Sequence, residues 1–249
     1  MQGNFPGSIL EATAWQMDKP ELFSGFHLAA FFITVIASVI LAKKASGHYR
    51  DEYLIYSGWI LAVLEVYKQL FIYFVINDGV YNWWFFPFQL CSVPMYLCVL
   101  LPLVQGSIRE SFLTFMSSYT LISAAAALIY PEDFLRPYIT LTAHGFIWHG
   151  ILLFISLLLL FSNVPDRSIR GFVRATGLFI VLSAVAVLIN ALVDTYMFYL
   201  NPYHNSPQPL VGTVQNALGI PAGLILYILA IIIAAGLTLI IKPSGKKAG

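Results

Sequence analysis

Seven long apolar runs dominate the sequence, and each has enough residues to cross a lipid bilayer as a helix. A transmembrane helix needs about 20 predominantly apolar residues. The connectors are short and polar, so they leave no room for a soluble domain. The runs lie near residues 25–42, 53–76, 83–104, 112–129, 141–161, 172–193 and 219–241. We therefore expect one all-α domain over residues 1–249, a polytopic membrane helical bundle of about seven transmembrane helices.

Composition supports the same class of protein. Hydrophobic residues make up 59% of the chain and charged residues 10%, whereas a soluble domain carries about 25% charged residues. The net charge of +1 gives no reason to expect a nucleic-acid partner. The first 22 residues lack a basic segment and contain Glu11, Asp18 and Glu21, so we expect no signal peptide there.

The distribution of lysine and arginine predicts the orientation of the bundle. Two basic residues, Lys19 and Arg136, fall on one side of the predicted membrane, and Lys68 falls inside a span. The ten on the other side are Lys43, Lys44, Arg50, Arg109, Arg167, Arg170, Arg174, Lys242, Lys246 and Lys247. The positive-inside rule places these ten in the cytoplasm. The N-terminus is therefore predicted outside and the C-terminus inside.

Polar side chains within the spans gather at one depth. With 1.5 Å of rise per residue, Lys68, Cys91 and His149 each lie about 12 Å below the outer boundary. Ionisable groups within spans usually face the bundle interior or a cavity. The other polar side chains of the outer half include Gln89, His144, Asn190 and Asp194, with Glu65 one turn deeper than Lys68. This one-sided depth predicts a single cavity that opens toward the outer leaflet or the outer surface.

Glu65 and Lys68 are three residues apart and share a helix face. One interpretation is a structural ion pair that neutralises two costly charges. The other is that one of the two side chains orients a substrate or a histidine.

Two cysteines lie in the third apolar run, and both are predicted to be free thiols. Pro94 lacks the N–H that would bond the carbonyl of Leu90, so we expect a perturbed helix beside Cys91. Cys98 lies two turns further along the same face, where a cysteine usually behaves as a small hydrophobic residue.

His144 and His149 are five residues apart, which is about 140° around a helix. That angle disfavours a metal ion held by both. One histidine can face the cavity while the other hydrogen-bonds elsewhere. A single histidine in a membrane helix, such as His27, usually makes an interhelical hydrogen bond.

A cysteine and a histidine at equal depth suit nucleophilic acyl transfer. The thiol needs a base within hydrogen-bond reach, and His149 is the first candidate, with His144 in reserve. Candidates to orient the histidine are Glu65, Asn190 and Asp194, and candidates to stabilise an oxyanion are Lys68 and Gln89. A zinc lipid hydrolase is the competing chemistry, with ligands drawn from His144, His149, Cys91 and Asp194. No motif specifies that metal site, and we expect neither metal nor cofactor.

Three segments resemble a known family. The Pro87–Cys91 sequence PFQLC within residues 86–104 resembles the LPLHLC signature of the YwaF-like family of bacterial integral membrane proteins, with Gln89 where many members have His. Residues 144–150, HGFIWHG, look like the span-five histidine motif of that family. Residues 190–209 are similar to its sixth-span exit. The resemblance covers most of the chain from the second span onward.

The YwaF-like family looks related to transmembrane protein 164 of animals, a cysteine-dependent acyltransferase that places acyl chains on ether phospholipids. The resemblance implies that Cys91 accepts the acyl chain and that a span-five histidine assists it. It also implies membrane lipids as substrates and the bacterial cytoplasmic membrane as the location.

Two other functions fit the same residues. One is a transporter or channel with Glu65, Lys68 and Asp194 in its path, although the polar groups reach only halfway across the bilayer. The other is a non-catalytic lipid-binding or partner-binding protein.

Overall fold

The computed structural model describes residues 10–240 as a bundle of helices. The helices are α1 (Gly25–Ser46), α2 (Asp51–Phe71), α3 (Val93–Leu100), α4 (Gly106–Ile129), α5 (Ile139–Ser162), α6 (Ile169–Val193), α7 (Pro209–Leu218) and α8 (Ile220–Leu237). Within the described residues, six helices are long and apolar enough to cross a membrane. The prediction of an all-α polytopic bundle is therefore confirmed, and the chain is a multi-pass membrane protein. Lys242, Lys246 and Lys247 lie outside the described residues.

Helix α5 lies at the centre of the bundle. It packs against α1, α2 and α4, and most of its side chains are buried. Helices α1, α6 and α8 instead expose many large apolar side chains, for example Ile33, Leu192 and Ile233. An apolar face of this kind is expected to contact lipid.

Basic connectors meet at one end of the bundle. Arg109, in the first turn of α4, pairs with Asp51 at the start of α2, with an N···O distance of 2.7 Å. Arg167, which precedes α6, donates to the carbonyl of Thr238 after α8 at 2.8 Å. Under the positive-inside rule this is the cytoplasmic end.

The N-terminal segment lies at the opposite end. Lys19 pairs with Glu132 of the α4–α5 connector, and the Met17 N–H donates to the carbonyl of Pro137 at 3.1 Å. Residues 17 and 238 thus lie at opposite ends, which requires an odd number of crossings between them. The third apolar run therefore joins the two ends along with the six long helices. Orientation relative to the cell remains a prediction.

The third apolar run differs from the continuous helix expected over residues 83–104. Trp83–Phe85 forms a single 3-10 turn, residues 86–92 are irregular, and the helix begins only at Val93. Pro94 lies in the first turn of α3, where its missing N–H costs no hydrogen bond. A side chain supplies a hydrogen-bond partner for this irregular backbone: the Tyr96 hydroxyl donates to the carbonyl of Pro87 at 2.7 Å.

Helices α2 and α3 approach each other closely at Gly58. A Cβ added there would lie 2.6 Å from the Cys98 Cβ and 3.0 Å from the Val99 backbone nitrogen. Cys98 is fully buried, and its thiol contacts the Met116 sulfur at 3.4 Å. Cys98 thus packs as a small core residue.

Gly58→Ala is expected to destabilise the protein by about 1–3 kcal/mol because overpacking displaces α3. Chemical unfolding in detergent micelles measures the change. Gly177→Ala is the matched control, since Gly177 lies inside α6 with no atom within 4 Å of an added Cβ. That control should be neutral or stabilising by about 0.5–1 kcal/mol. Equal stability of the two variants would contradict the close approach.

Candidate functional site

Cys91 lies in the irregular segment directly before α3, and the residue as a whole is intermediate between buried and exposed. The indole N–H of Trp148 donates to the Cys91 carbonyl at 3.1 Å. Trp148 is on α5, between the two candidate histidines. The first four N–H groups of a helix have no intrahelical partner. At the start of α3, Ser92 donates to the Gln89 carbonyl at 2.8 Å and Pro94 has no N–H, so Val93 and Met95 carry the remaining donors. Sequence reasoning missed Trp148, although its position within the HGFIWHG stretch was visible.

His149 is buried and fixed on two sides. Its Nδ1 lies 2.8 Å from the carbonyl of Gly145, and its ring stacks on Phe134 at 4.8 Å between centroids. A carbonyl oxygen only accepts, so Nδ1 carries the proton and Nε2 is left as an acceptor. In the neutral imidazole, Nε2 is therefore the nitrogen that can accept a proton.

His144 has the opposite arrangement. Its Nε2 lies 3.1 Å from the carbonyl of Leu64 on α2, so Nε2 is the donor and only Nδ1 remains as an acceptor. The ring stacks on Trp148 at 5.7 Å. The two histidines thus use different neighbours, as their angular separation predicted.

His27 makes the interhelical hydrogen bond that was expected of it. Its Nε2 lies 3.0 Å from the carbonyl of Leu128, and its Nδ1 accepts from the Phe23 N–H at 3.0 Å. With both ring nitrogens occupied, His27 holds α1 against α4.

Glu65 and Lys68 form the expected ion pair, with 2.8 Å between Nζ and Oε2. Gln69 donates to the other Glu65 oxygen at 2.7 Å and also to the carbonyl of Phe85. The Lys68 ammonium lies 5.8 Å from the centre of the Trp148 ring. The pair therefore lies beside the tryptophan that binds the Cys91 backbone.

Lys68→Met is expected to destabilise the protein by about 3 kcal/mol, because it leaves the buried Glu65 carboxylate without its cation. Chemical unfolding in detergent micelles measures the loss. Adding Glu65→Gln to Lys68→Met should restore most of the stability, since the amide is neutral and keeps an oxygen for Gln69. A Lys68→Met variant as stable as the wild type would show that the pair is not buried.

The amides of Gln89 and Asn190 bind the turn after α6. Gln89 accepts from the Phe198 N–H at 2.9 Å and donates to the carbonyl of Tyr196 at 3.2 Å. Asn190 accepts from the Met197 N–H at 2.5 Å and donates to the carbonyl of the same residue at 2.9 Å. Both side chains are therefore engaged with backbone at the end of the bundle that holds the α4–α5 connector.

This turn has an unusual backbone. Phe198 and Tyr199 have φ of 54° and 59°, a left-handed conformation that is costly for aromatic residues. The Tyr199 hydroxyl donates to Asp133. Burial, and then the Asp133 carboxylate, raise the pKa of the Tyr199 phenol well above its ordinary value, so it remains a donor. The sequence Tyr199-Leu200-Asn201-Pro202 indicates a turn here, but sequence reasoning did not anticipate the left-handed backbone or its contacts with Gln89 and Asn190.

Asp194 ends α6 and is exposed. Its Oδ1 accepts from Asn201 at 3.2 Å and lies 3.2 Å from His204 Nε2. Across residues 10–240, no three His, Cys, Asp or Glu side chains converge in metal-binding geometry. The set considered for zinc, His144, His149, Cys91 and Asp194, is therefore not brought together.

The structure thus connects Cys91, Trp148, His144 and the Glu65–Lys68 pair through a chain of contacts. In the described part of the chain, no hydrogen bond joins the Cys91 thiol to either histidine. His149 is held separately by Gly145 and Phe134.

The sequence matches the model of a protein family over most of its length. The sequence model of the TMEM164 family matches residues 22–241, which include all eight helices. Neither curated proteins nor solved structures give a match.

Proposed function

Because the chain belongs to the TMEM164 family, we propose that it is a membrane-embedded lipid acyltransferase or acyl hydrolase. It acts on phospholipid acyl chains through Cys91 and a histidine of α5.

The observation that carries this proposal is the hydrogen bond from Trp148 to the Cys91 carbonyl. It fixes the cysteine backbone to the helix that bears both histidines. Because the segment around Cys91 is irregular, the position of the thiol is not fixed by the geometry of a regular helix. Non-helical backbone within a membrane protein is tolerated where it is buried in protein or lines a cavity.

His149 is the preferred base because its free nitrogen is Nε2. In nucleophile–histidine pairs, a partner on Nδ1 fixes the tautomer and Nε2 takes the proton. The Gly145 carbonyl provides that partner here. Catalytic hydrogen bonds are often long without substrate and tighten in the complex, so the thiol and Nε2 meet when lipid binds. His144 is the alternative base through Nδ1.

The reaction proceeds in two steps. His149 takes the thiol proton, and the Cys91 sulfur attacks the ester carbonyl of the donor lipid. The C–O bond breaks, and the leaving alkoxide takes the proton from His149. In the second step, His149 takes the proton from the hydroxyl of an acceptor lipid, or from water, and that oxygen attacks the thioester carbonyl. The C–S bond breaks, and the leaving Cys91 thiolate takes the proton back from His149. Backbone N–H groups at the start of α3 are suited to stabilise the oxyanion of both steps.

The acyl-enzyme intermediate tests this proposal directly. The full chain is reconstituted in vesicles with phospholipid, quenched and digested, and peptides covering residues 86–104 are analysed by mass spectrometry. We expect an acyl chain on Cys91 that neutral hydroxylamine removes, and none on the buried Cys98. Turnover without an acylated Cys91 would exclude the covalent mechanism.

A further inference from the structure

Gln89 makes two hydrogen bonds to a distant part of the chain, and both go to backbone. Its carboxamide accepts from the Phe198 N–H at 2.9 Å and donates to the Tyr196 carbonyl at 3.2 Å. The amide is therefore used both as acceptor and as donor. Gln89 precedes the proposed nucleophile, Cys91, by two residues. The side chain that was a candidate to stabilise an oxyanion is thus bound to another segment.

The turn that Gln89 binds is also held by two other elements. Asn190 of α6 bonds both backbone groups of Met197, at 2.5 Å to the N–H and 2.9 Å to the carbonyl. The Tyr199 hydroxyl donates to Asp133, in the connector that leads into α5. The turn is therefore attached both to the end of α6 and to the segment just before α5.

The backbone of the turn shows how firmly it is held. Phe198 and Tyr199 have φ of 54° and 59°, and such strained conformations persist only where the surrounding structure over-determines them. The Phe198 ring also stacks on Phe88, with 5.6 Å between ring centroids and 12° between the ring planes. Phe88 directly precedes Gln89, so apolar and polar contacts join the same two segments.

Cys91 is thereby attached to α5 by two routes. Trp148 binds the Cys91 carbonyl directly at 3.1 Å, and Gln89 reaches the connector before α5 through the turn. One hydrogen bond alone leaves the segment free to pivot about it, whereas a second attachment two residues away removes most of that freedom. Reacting groups have to be held within about 0.5 Å of the productive geometry, and a displacement of about 1 Å can lower a rate by about 10²-fold.

We propose that Gln89 is a positioning residue whose hydrogen bonds to residues 196–198 set the direction of the Cys91 thiol relative to α5. Gln89 acts through the backbone of the turn and not on the substrate. The inference rests on the proposed function, because the direction of the thiol has consequences only where the thiol reacts.

Gln89→Leu in the reconstituted full chain tests the inference, because leucine removes both hydrogen bonds. We expect kcat for acyl transfer to fall by about 30–100-fold and KM to stay within about twofold, since the substrate contacts remain and only the thiol is displaced. Gln89→His should keep a kcat within about tenfold of the wild type, because a neutral imidazole supplies one donor and one acceptor.

Gln215→Leu is the matched control. Gln215 is a buried glutamine whose amide oxygen also accepts a backbone N–H, that of Ser206 at 2.6 Å. Both residues of this pair belong to α7 or to the chain just before it. The variant should lose stability, as Gln89→Leu does, but keep kcat within about twofold of the wild type.

Alkylation of Cys91 by N-ethylmaleimide gives a second measurement, which needs no acyl transfer. A Cys98→Ala background leaves one thiol, and its alkylation rate depends on its surroundings and accessibility. We expect Gln89→Leu to change that rate at least about fivefold, and Gln89→His and Gln215→Leu to change it less than about twofold.

The two measurements separate this inference from the proposed function. If Gln89→Leu alters neither kcat nor the alkylation rate, or if Gln89→His behaves like Gln89→Leu, the positioning role is excluded, while an acyl chain found on Cys91 still supports acyl transfer. If the wild type forms no acyl-enzyme but the alkylation rates differ as expected, the positioning role is supported and only the acyl-transfer chemistry is refuted.

Discussion

Cys91→Ala is expected to lower acyl transfer or hydrolysis by about 10³-fold or more, because the variant has no nucleophile to form the thioester. The measurement is release or transfer of a labelled acyl chain from phospholipid in vesicles containing the reconstituted protein. Cys91→Ser should be almost as inactive, since a hydroxyl is a far weaker nucleophile than a thiol in the same position.

Cys98→Ala is the matched control for this experiment. Cys98 is fully buried against Met116 and lies in the α2–α3 contact, so its loss is expected to reduce stability slightly and leave the rate within about twofold of wild type. Wild-type activity in Cys91→Ala would remove Cys91 from the nucleophile role. If both cysteine variants failed equally, a folding defect would explain the loss instead.

His149→Asn is expected to lower the rate by about 10²–10⁴-fold through loss of the general base. Asparagine is chosen because its amide N–H can replace Nδ1 as the donor to the Gly145 carbonyl, 2.8 Å from it in the native protein. The substitution thus removes basicity while it keeps the local hydrogen bond. Initial rates of acyl transfer at saturating lipid measure the effect.

His144→Gln provides the complementary variant. The glutamine amide reaches the position of Nε2 and can donate to the Leu64 carbonyl, so fold and interhelical contact are retained. We expect a rate within about tenfold of wild type. A large loss in His144→Gln together with an active His149→Asn would reverse the assignment and make His144 the base.

Hydropathy and charge were sufficient for much of the fold. Helix α5 was expected over residues 141–161 and covers Ile139–Ser162, because a long uncharged run must satisfy its backbone within one helix. The third run departed from this rule. Its hydropathy is high and favours a long helix, but Pro87 and Pro94 restrict the backbone. As a result, α3 begins only at Val93.

For the candidate site, the sequence predicted only how deep its residues lie in the membrane. The sequence predicted that Lys68, Cys91 and His149 lie at the same depth below the outer boundary of the membrane. In the structure, Lys68 and the Cys91 backbone both contact Trp148. The direction in which each side chain points from its helix depends on contacts between residues far apart in the sequence. Those contacts also decide which histidine nitrogen is free, so neither could be predicted from the sequence. The amide contacts of Gln89 and Asn190 with residues 196–198 could not be predicted for the same reason. Gln89 binds a segment more than 100 residues away, and Asn190 binds across a turn.

The irregular third crossing also constrains how the protein is made. While the chain is being synthesised, the segment before α3 leaves the ribosome more than 50 residues ahead of Trp148, the residue that binds the Cys91 carbonyl. Peptide groups without partners are costly in hydrocarbon. This crossing therefore has to wait in the insertion machinery, or at the interface, until α5 arrives. The proposed catalytic segment is thus expected to complete its crossing only after α5, and so out of its order in the chain.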